Sequence, residues 1–267
     1  MTDGDALLAA IIAAPDDDTP RLVYADWLDE NGQPERAEFI RVQIEVSRGE
    51  TTKKRSPQQS ILLTRFRELF STHGSTWKGS LDGSSADVIF RRGFVEELEI
   101  KPERLLDLGA QQLEKHPIRL LSVTARGFNQ PDATEFVRSL AAWEGLERLR
   151  ELRLRGYTVS APSLEALTEA TGRLKMLDLS GCQVEDDTVV ALAELPLLAD
   201  LQELHLSWVA LQLPGAQLLA SGTRLPKLQR LHIICDLPRG LRAKHPLKVA
   251  VAKLKSRFGD SVLVLGE

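Results

Sequence analysis

The chain has 267 residues, enough for a sizeable core in one or two domains. Its 34 Lys and Arg against 38 Asp and Glu leave a net charge of −4, so there is no general electrostatic case for nucleic acid or for an anionic membrane. Two cysteines, Cys182 and Cys235, exclude a disulfide scaffold, and no C-x-x-C pair occurs.

Asp3 is placed to cap a helix running to about Ala14, with Leu7, Leu8, Ile11 and Ile12 on its apolar face. Aspartates rather than basic residues precede this alanine-rich stretch, which is the wrong charge for a secretory signal. No run approaches the ~18 apolar residues of a membrane span, so a cytoplasmic protein is expected. Pro15 and the aspartates after it end the helix. Thr19-Pro20 supplies a cap and a first-turn proline for a second helix, RLVYADWLDEN, which Asn31-Gly32 closes. Pro34 starts a third, ERAEFIRVQIEV, with Ala37, Ile40 and Ile44 on one face. Arg48 to Ser56 reads as a solvated basic loop, because it lacks the aromatic interleaving of a nucleic-acid site. Ser56-Pro57 opens a fourth helix with Phe66, Leu69 and Phe70 inward, ended by His73-Gly74. Residues 75–86 are rich in Ser and Gly and form the predicted joint; Trp77 within them is read as a packing residue. The expected division is therefore a helical domain over 1–74 (core 6–44, further helix 57–73), a joint over 75–86, and a second domain over 87–267.

The second domain repeats. Leu174 to Val184, LKMLDLSGCQV, reads L-x-x-L-x-L-x-x-C-x-V, the signature of a leucine-rich repeat. Copies are LRELRL from Leu149, LQELHL from Leu201 and LQRLHI from Leu228; looser ones are VEELEI from Val95 and IRLLSV from Ile118. The steps of 23 to 31 residues suit stacked units that cannot bury their apolar rows alone. The longest step suggests an insertion around Gly127 to Pro131. An ordinary doubly wound βα sheet is the alternative, but that fold demands no fixed period. Cys182 and Cys235 stand near strand ends, where a small buried residue is wanted. An amphipathic helix from about Leu247 to Phe258 and a strand over 261–265 are expected to cover the last repeat.

Two stretches carry more than repeat character. The first holds Asp16 to Asp18, then PRLVYADWLDE over 20–30, then Gly32, Pro34, Arg36, Glu38-Phe39-Ile40-Arg41 and Gln43. It resembles the repeat-companion domain at the start of many bacterial repeat proteins. Arg91-Arg92-Gly93-Phe94-Val95 resembles the RRGF-V that opens the first repeat of such proteins. The resemblance implies architecture rather than an activity: an α/β chain with an α-helical N-terminal cap and a short leucine-rich solenoid, its parallel sheet concave and its helices convex. Physically, Tyr24, Trp27 and Leu28 are positioned to pack against Phe39 and Ile40. Asp26, Asp29, Glu30, Glu35 and Glu38 are positioned to meet Arg21, Arg36 and Arg41 in surface ion pairs, each worth little. The motif residues singled out are Tyr24, Asp26, Trp27, Leu28, Glu38, Phe39 and Arg41.

No phosphate-binding, zinc-protease, nucleophile-elbow or dinucleotide motif is present, and no catalytic residue or cofactor is expected. Strand phase puts Glu97 and Glu99, Glu151, Arg153 and Arg155, Met176 and Asp178, Glu203 and His205, and Arg230 and His232 on the concave face. Asp178, His205 and His232 share one position in three copies, ~5 Å apart on stacked strands. Two imidazoles and a carboxylate suit zinc or copper, but side chains on a flat ladder run parallel and converge poorly on one ion. A pH-sensitive contact surface is preferred and no metal is expected. The leading expectation is a non-enzymatic module, monomeric when free, that binds a protein partner through Glu99, Glu151, Arg153, Arg155, Asp178, Glu203, His205, Arg230 and His232, with Trp208 as an aromatic candidate. The alternative is an adaptor or substrate of a bacterial signalling, defence or proteolytic system, recognised through its N-terminal domain. A metal-dependent enzyme is more remote.

Overall fold

The computed structural model describes residues 2–49, 56–82, 87–108, 115–125, 130–141, 148–170, 174–184, 186–195, 199–209, 211–223, 225–238 and 240–265. The chain is α/β, with an N-terminal helical region and a mostly parallel set of strands. It divides into two compact units, Met1–Leu98 with Gln111–Ile118, and Glu99–Ala110 with Arg119–Glu267.

Four helices and a hairpin build the first unit: α1 (Asp3–Ala13), α2 (Thr19–Glu30), α3 (Pro34–Gly49), α4 (Pro57–Lys78), β1 (Asp87–Arg91) and β2 (Phe94–Ile100), whose last two residues belong to the second unit. Local chemistry sets the ends. Thr2, not Asp3, caps α1, in a reciprocal box with Asp5; Ser56 and Gln59 form the same box on α4. Thr19 lies inside α2, and Asp18 holds the cap position. The fourth helix does not stop at His73-Gly74. Gly74 is buried against Phe70, where a Cβ would lie 3.0 Å from the ring, and the chain turns only at Gly79. The additional turn carries Trp77 to 4.5 Å from the Phe39 ring centre, so Trp77 does pack. Phe39 also meets Phe66, Phe70 and Phe90. A second cluster joins Ile11, Ala25, Leu28, Ala37, Ile40, Ile44 and Phe94, with Tyr24 and Trp27 against it. Burial of each large side chain contributes roughly 1.5–3 kcal/mol.

The hairpin is fixed to these helices through backbone groups. Gln43 donates to the Phe90 carbonyl at 3.1 Å and accepts from the Gly93 amide at 2.6 Å. Arg21, fully buried, donates to the Pro15 carbonyl at 2.9 Å and pairs with Glu96 at 2.8 Å. Gly93 has φ +90, and a Cβ there would lie 2.4 Å from Ile40 Cγ1 and 2.8 Å from Ile40 Cα, so only glycine fits. These contacts explain why the unit runs on to Leu98, past the 75–86 stretch whose composition suggests a joint. Residues 83–86 of that stretch, and 50–55 of the basic run, lie outside the described residues.

The second unit is a ladder of parallel strands in the order β3 (Leu120–Thr124), β4 (Glu151–Arg155), β6 (Met176–Leu179), β8 (Glu203–Val209), β9 (Arg230–Asp236) and β10 (Val262–Leu265). Two inward rows run through it in register. Leu121, Leu152, Leu177, Leu204 and Leu231 make one; Val123, Leu154, Leu179, Leu206 and Ile233 make the other. All are buried, as the two-residue period requires. The same joint recurs at the starts of β4, β6, β8 and β9. The Arg119 carbonyl accepts from the amides of Arg150 and Glu151, that of Arg150 from Lys175 and Met176, that of Lys175 from Gln202 and Glu203, and that of Gln202 from Gln229 and Arg230. Two-residue strands β5 (Thr158–Val159) and β7 (Gln183–Val184) form a second small parallel ladder. Pro131, at the end of the predicted insertion, accepts from the Thr158 amide; residues 126–129 lie outside the described set. Helix α5 (Pro102–Leu108) follows β2. Helices α6 (Thr134–Ala141), α7 (Ala161–Ala170), α8 (Asp186–Glu194), α9 (Leu213–Ser221) and α10 (Pro246–Phe258) pack each on the next in chain order.

Candidate functional site

On the opposite side from the two inward rows, the alternate positions of the ladder carry mostly polar and charged side chains, with Leu120 and Met176 buried among them. One cross-strand row reads Leu120, Glu151, Met176, Glu203, Arg230; the next reads Ser122, Arg153, Asp178, His205, His232. The register follows from the inward leucines, because a one-residue slip would put every leucine in solvent. Of the residues expected to bind a partner, Glu99, Arg155, Arg230 and His232 are exposed, and Glu151, Arg153, Glu203 and His205 are half-buried. Asp178 departs from expectation: only 6% of it is accessible. Its short side chain lies between Arg153 and His205 on the flanking strands. One carboxylate oxygen accepts from the Ser180 amide at 2.8 Å, and the other is 3.8 Å from Arg155 Nη2. It orders the face rather than presenting to it. Trp208 falls at the bulge where the β8–β9 register shifts between Ser207 and Val209; its side chain lies outside the described residues.

The most concentrated chemistry on this face is on β8 and β9. His205 and His232 are directly paired across the strands, with ring centres 4.3 Å apart. Glu203, two residues before His205, points from the same face of the same strand. Its Oε1 lies 2.7 Å from His205 Nε2 and 3.8 Å from His232 Nε2. Its Oε2 accepts from Arg230 Nε at 2.6 Å. Burial alone would raise the Glu203 pKa; the hydrogen bonds from His205 and Arg230 outweigh it and hold the carboxyl below its ordinary value. Among the described residues this trio is the group of three possible metal ligands, with its donor atoms all within 4.8 Å. The carboxylate that joins the histidines is therefore Glu203, not Asp178. The spacing i, i+2 on one strand was the available signal.

The N-terminal motif divides differently. Leu28 and Phe39 are core; Tyr24 and Trp27 stack at 5.7 Å and cover it. Arg41 pairs with Asp26 at 2.6 Å and Asp29 at 2.7 Å at the surface. Glu38 pairs with Arg65 on α4, which holds its carboxyl below the ordinary range. Arg21 and Arg36 do not join surface pairs. The Arg36 guanidinium is buried among Phe39, Trp77, Phe90 and Phe94, with ring centres 5.0–5.8 Å away. Its Nη2 donates to the Gly93 carbonyl at 2.5 Å, while Nη1 has no hydrogen-bond partner. Burial pulls its pKa down to about 10. His116, near this cation, is pushed down to about 4 by burial first and by Arg36 and Lys115 second. The motif is thus mainly a packing device.

Both cysteines are buried thiols. The Cys182 thiol donates to the Leu154 carbonyl at 3.2 Å, and burial raises its pKa to about 11, which makes it a poor nucleophile. No helix among the described residues is long and apolar enough to cross a membrane. Compared with known proteins, the sequence matches no family model and no curated protein.

Proposed function

We propose that the second unit is a leucine-rich repeat solenoid, that the first is a repeat-companion cap, and that the chain is a non-enzymatic module binding a protein partner through the polar strand face. The observation that carries this reading is the row of both charge signs held in fixed cross-strand register, from Glu151 and Arg153 to Arg230 and His232. A rigid surface of this kind suits recognition by charge complementarity. The double hydrogen bond that recurs at the starts of β4, β6, β8 and β9 and the two buried aliphatic rows support the repeat reading. The raised thiol pKa of Cys182 and the buried Asp178 favour a binding role over nucleophilic chemistry.

The test is affinity co-purification from cells that express the protein, followed by direct binding of the captured partner. Arg153→Glu/Arg155→Glu reverses charge on half-exposed and exposed side chains without touching the inward rows. Loss of one specific partner at least tenfold, with the circular dichroism unchanged, is the expected result. Loss instead in Arg41→Glu, on the cap, would move recognition to the first unit. A partner retained by both variants would refute the strand-face assignment.

A further inference from the structure

We propose that Glu203, His205 and His232 form a binding site for a late first-row divalent cation, zinc being the natural probe. The proposal goes beyond protein recognition and does not rest on it. Each donor comes from a position the fold already fixes. The two histidines face each other across the β8–β9 ladder, and the ladder is regular there because its irregularity lies beyond, at Ser207. Glu203 reaches along its own strand to the space between the rings, so the donors do not run parallel as they would from three successive strands.

The distances fit an ion after small rotations. Donors around a tetrahedral zinc, ~2.0–2.2 Å from the metal, stand ~3.3–3.5 Å apart. The Glu203 Oε1 contacts here are 2.7 Å to His205 Nε2 and 3.8 Å to His232 Nε2, one shorter and one longer than that ideal. Inserting an ion would open the first and close the second. Two imidazoles and one carboxylate match the borderline ligand preference of zinc, nickel and copper, and exclude the all-oxygen preference of calcium and magnesium. The side chains are 18% exposed at Glu203, 25% at His205 and 48% at His232, so an ion can enter from solvent. Three protein donors leave a coordination position open for water or for a group on another molecule. Arg230 holds the other carboxylate oxygen, Oε2, and so orients the ligand from outside the donor set. Its positive charge opposes the ion, but its side chain is 69% exposed and that charge is screened by solvent.

The experiment uses the full chain, stripped with a chelator and titrated with zinc chloride by calorimetry, with cobalt(II) as a spectroscopic substitute. The expected result is one zinc per chain, with at least tenfold weaker binding in Glu203→Gln and in His232→Gln. His73→Gln, on α4 of the first unit and outside the donor set, should bind as the wild type does. Cobalt should give the visible bands of a nitrogen–oxygen site without sulfur charge transfer. The proposal is overturned by absence of saturable binding, by unchanged binding in His205→Gln/His232→Gln, or by a cobalt–thiolate spectrum that moves the metal to a cysteine. These readouts need no partner protein. Zinc binding can therefore fail while recognition stands, or stand while recognition fails.

Discussion

Replacing Arg36 by methionine and, separately, by lysine tests what the aromatic pocket of the first unit does for a buried cation. The depression of the guanidinium from 12.5 to about 10 corresponds to a burial cost of about 3 kcal/mol, at ~1.4 kcal/mol per pKa unit. Opposing this are the short bond to the Gly93 carbonyl and the four rings at 5.0–5.8 Å. A charged hydrogen bond contributes about 1.5–3 kcal/mol, and a desolvated cation–π contact contributes about 0.5–2 kcal/mol. Counted as one shared cation–π interaction rather than four additive ones, the rings and the hydrogen bond supply about 2–5 kcal/mol, which nearly offsets the burial cost. Methionine removes both, keeps much of the volume, and leaves one carbonyl short of a donor, so the expected loss is about 1–2 kcal/mol.

Lysine keeps the charge but loses the planar face that stacks on rings and the fork that reaches Gly93, so the expected loss is about 3–4 kcal/mol. The charge-conserving change should therefore be the worse one. Urea unfolding followed by tryptophan fluorescence reads it directly, because Trp77 lies 5.0 Å from the guanidinium. With a denaturant slope of about 1–3 kcal/mol per molar, the two midpoints should separate by about 0.7–2 M. The lysine variant should also gain stability as pH rises toward 10. Its folded-state pKa lies below the unfolded value, so the unfolded chain holds more protons in that window. A methionine variant as unstable as the lysine variant would refute the reasoning, since it would mean that the charge itself is required.

Further outcomes follow from the same geometry. Gly93→Ala should cost more than about 3 kcal/mol, because its Cβ would lie 2.8 Å from Ile40 backbone at φ +90, whereas Gly32→Ala, at φ +73 with nothing within 4 Å, should cost only about 1 kcal/mol of backbone strain; thermal melts of the two should differ accordingly, and equal melts would discount the Ile40 contact. His116, ordinarily near 6.5 and held near 4 in the folded chain, stays neutral while the unfolded chain takes up a proton, so stability should fall by about 3 kcal/mol as pH drops from 6.5 to 4. His116→Gln should flatten that part of the stability–pH curve, and an unchanged slope would assign it to other groups. Leu177→Ala, at a fully buried central position of the inward row, should cost about 2–5 kcal/mol by denaturant unfolding; a cost under 1 kcal/mol would mean that the rows are loosely packed.

The strands of the second unit were legible because one physical rule wrote them. A two-residue period sorts Leu152, Leu154, Leu177 and Leu179 to one side and Arg153 and Asp178 to the other, and parallel register then aligns the copies. The first unit was legible in its helices and less so in their ends. Gly74 looks like a stop in sequence, but inside a packed helix it is the place where Phe70 needs room. Part of the hairpin's attachment to that unit carries no side-chain signal, because Gln43 and Arg36 bind backbone groups of Phe90 and Gly93, while Phe90 and Phe94 pack into the clusters. The same holds for Arg21: its sequence neighbours Asp26 and Glu30 suggested a surface pair, while its partner, Glu96, is remote in the chain.

The polar face shows where such reading stops. The spacing of the leucines put His205 opposite His232, as the β8–β9 pairing does, since register is a backbone property. It put Asp178 with them because all three share a row, but a row fixes only where side chains begin. Aspartate is too short to leave its own strand, and Arg155 and the Ser180 amide hold it there. Glutamate carries one more methylene and starts one row earlier, so it can slant along β8 and meet both rings. Reach and tilt, not the repeat position, decide which carboxylate completes the cluster.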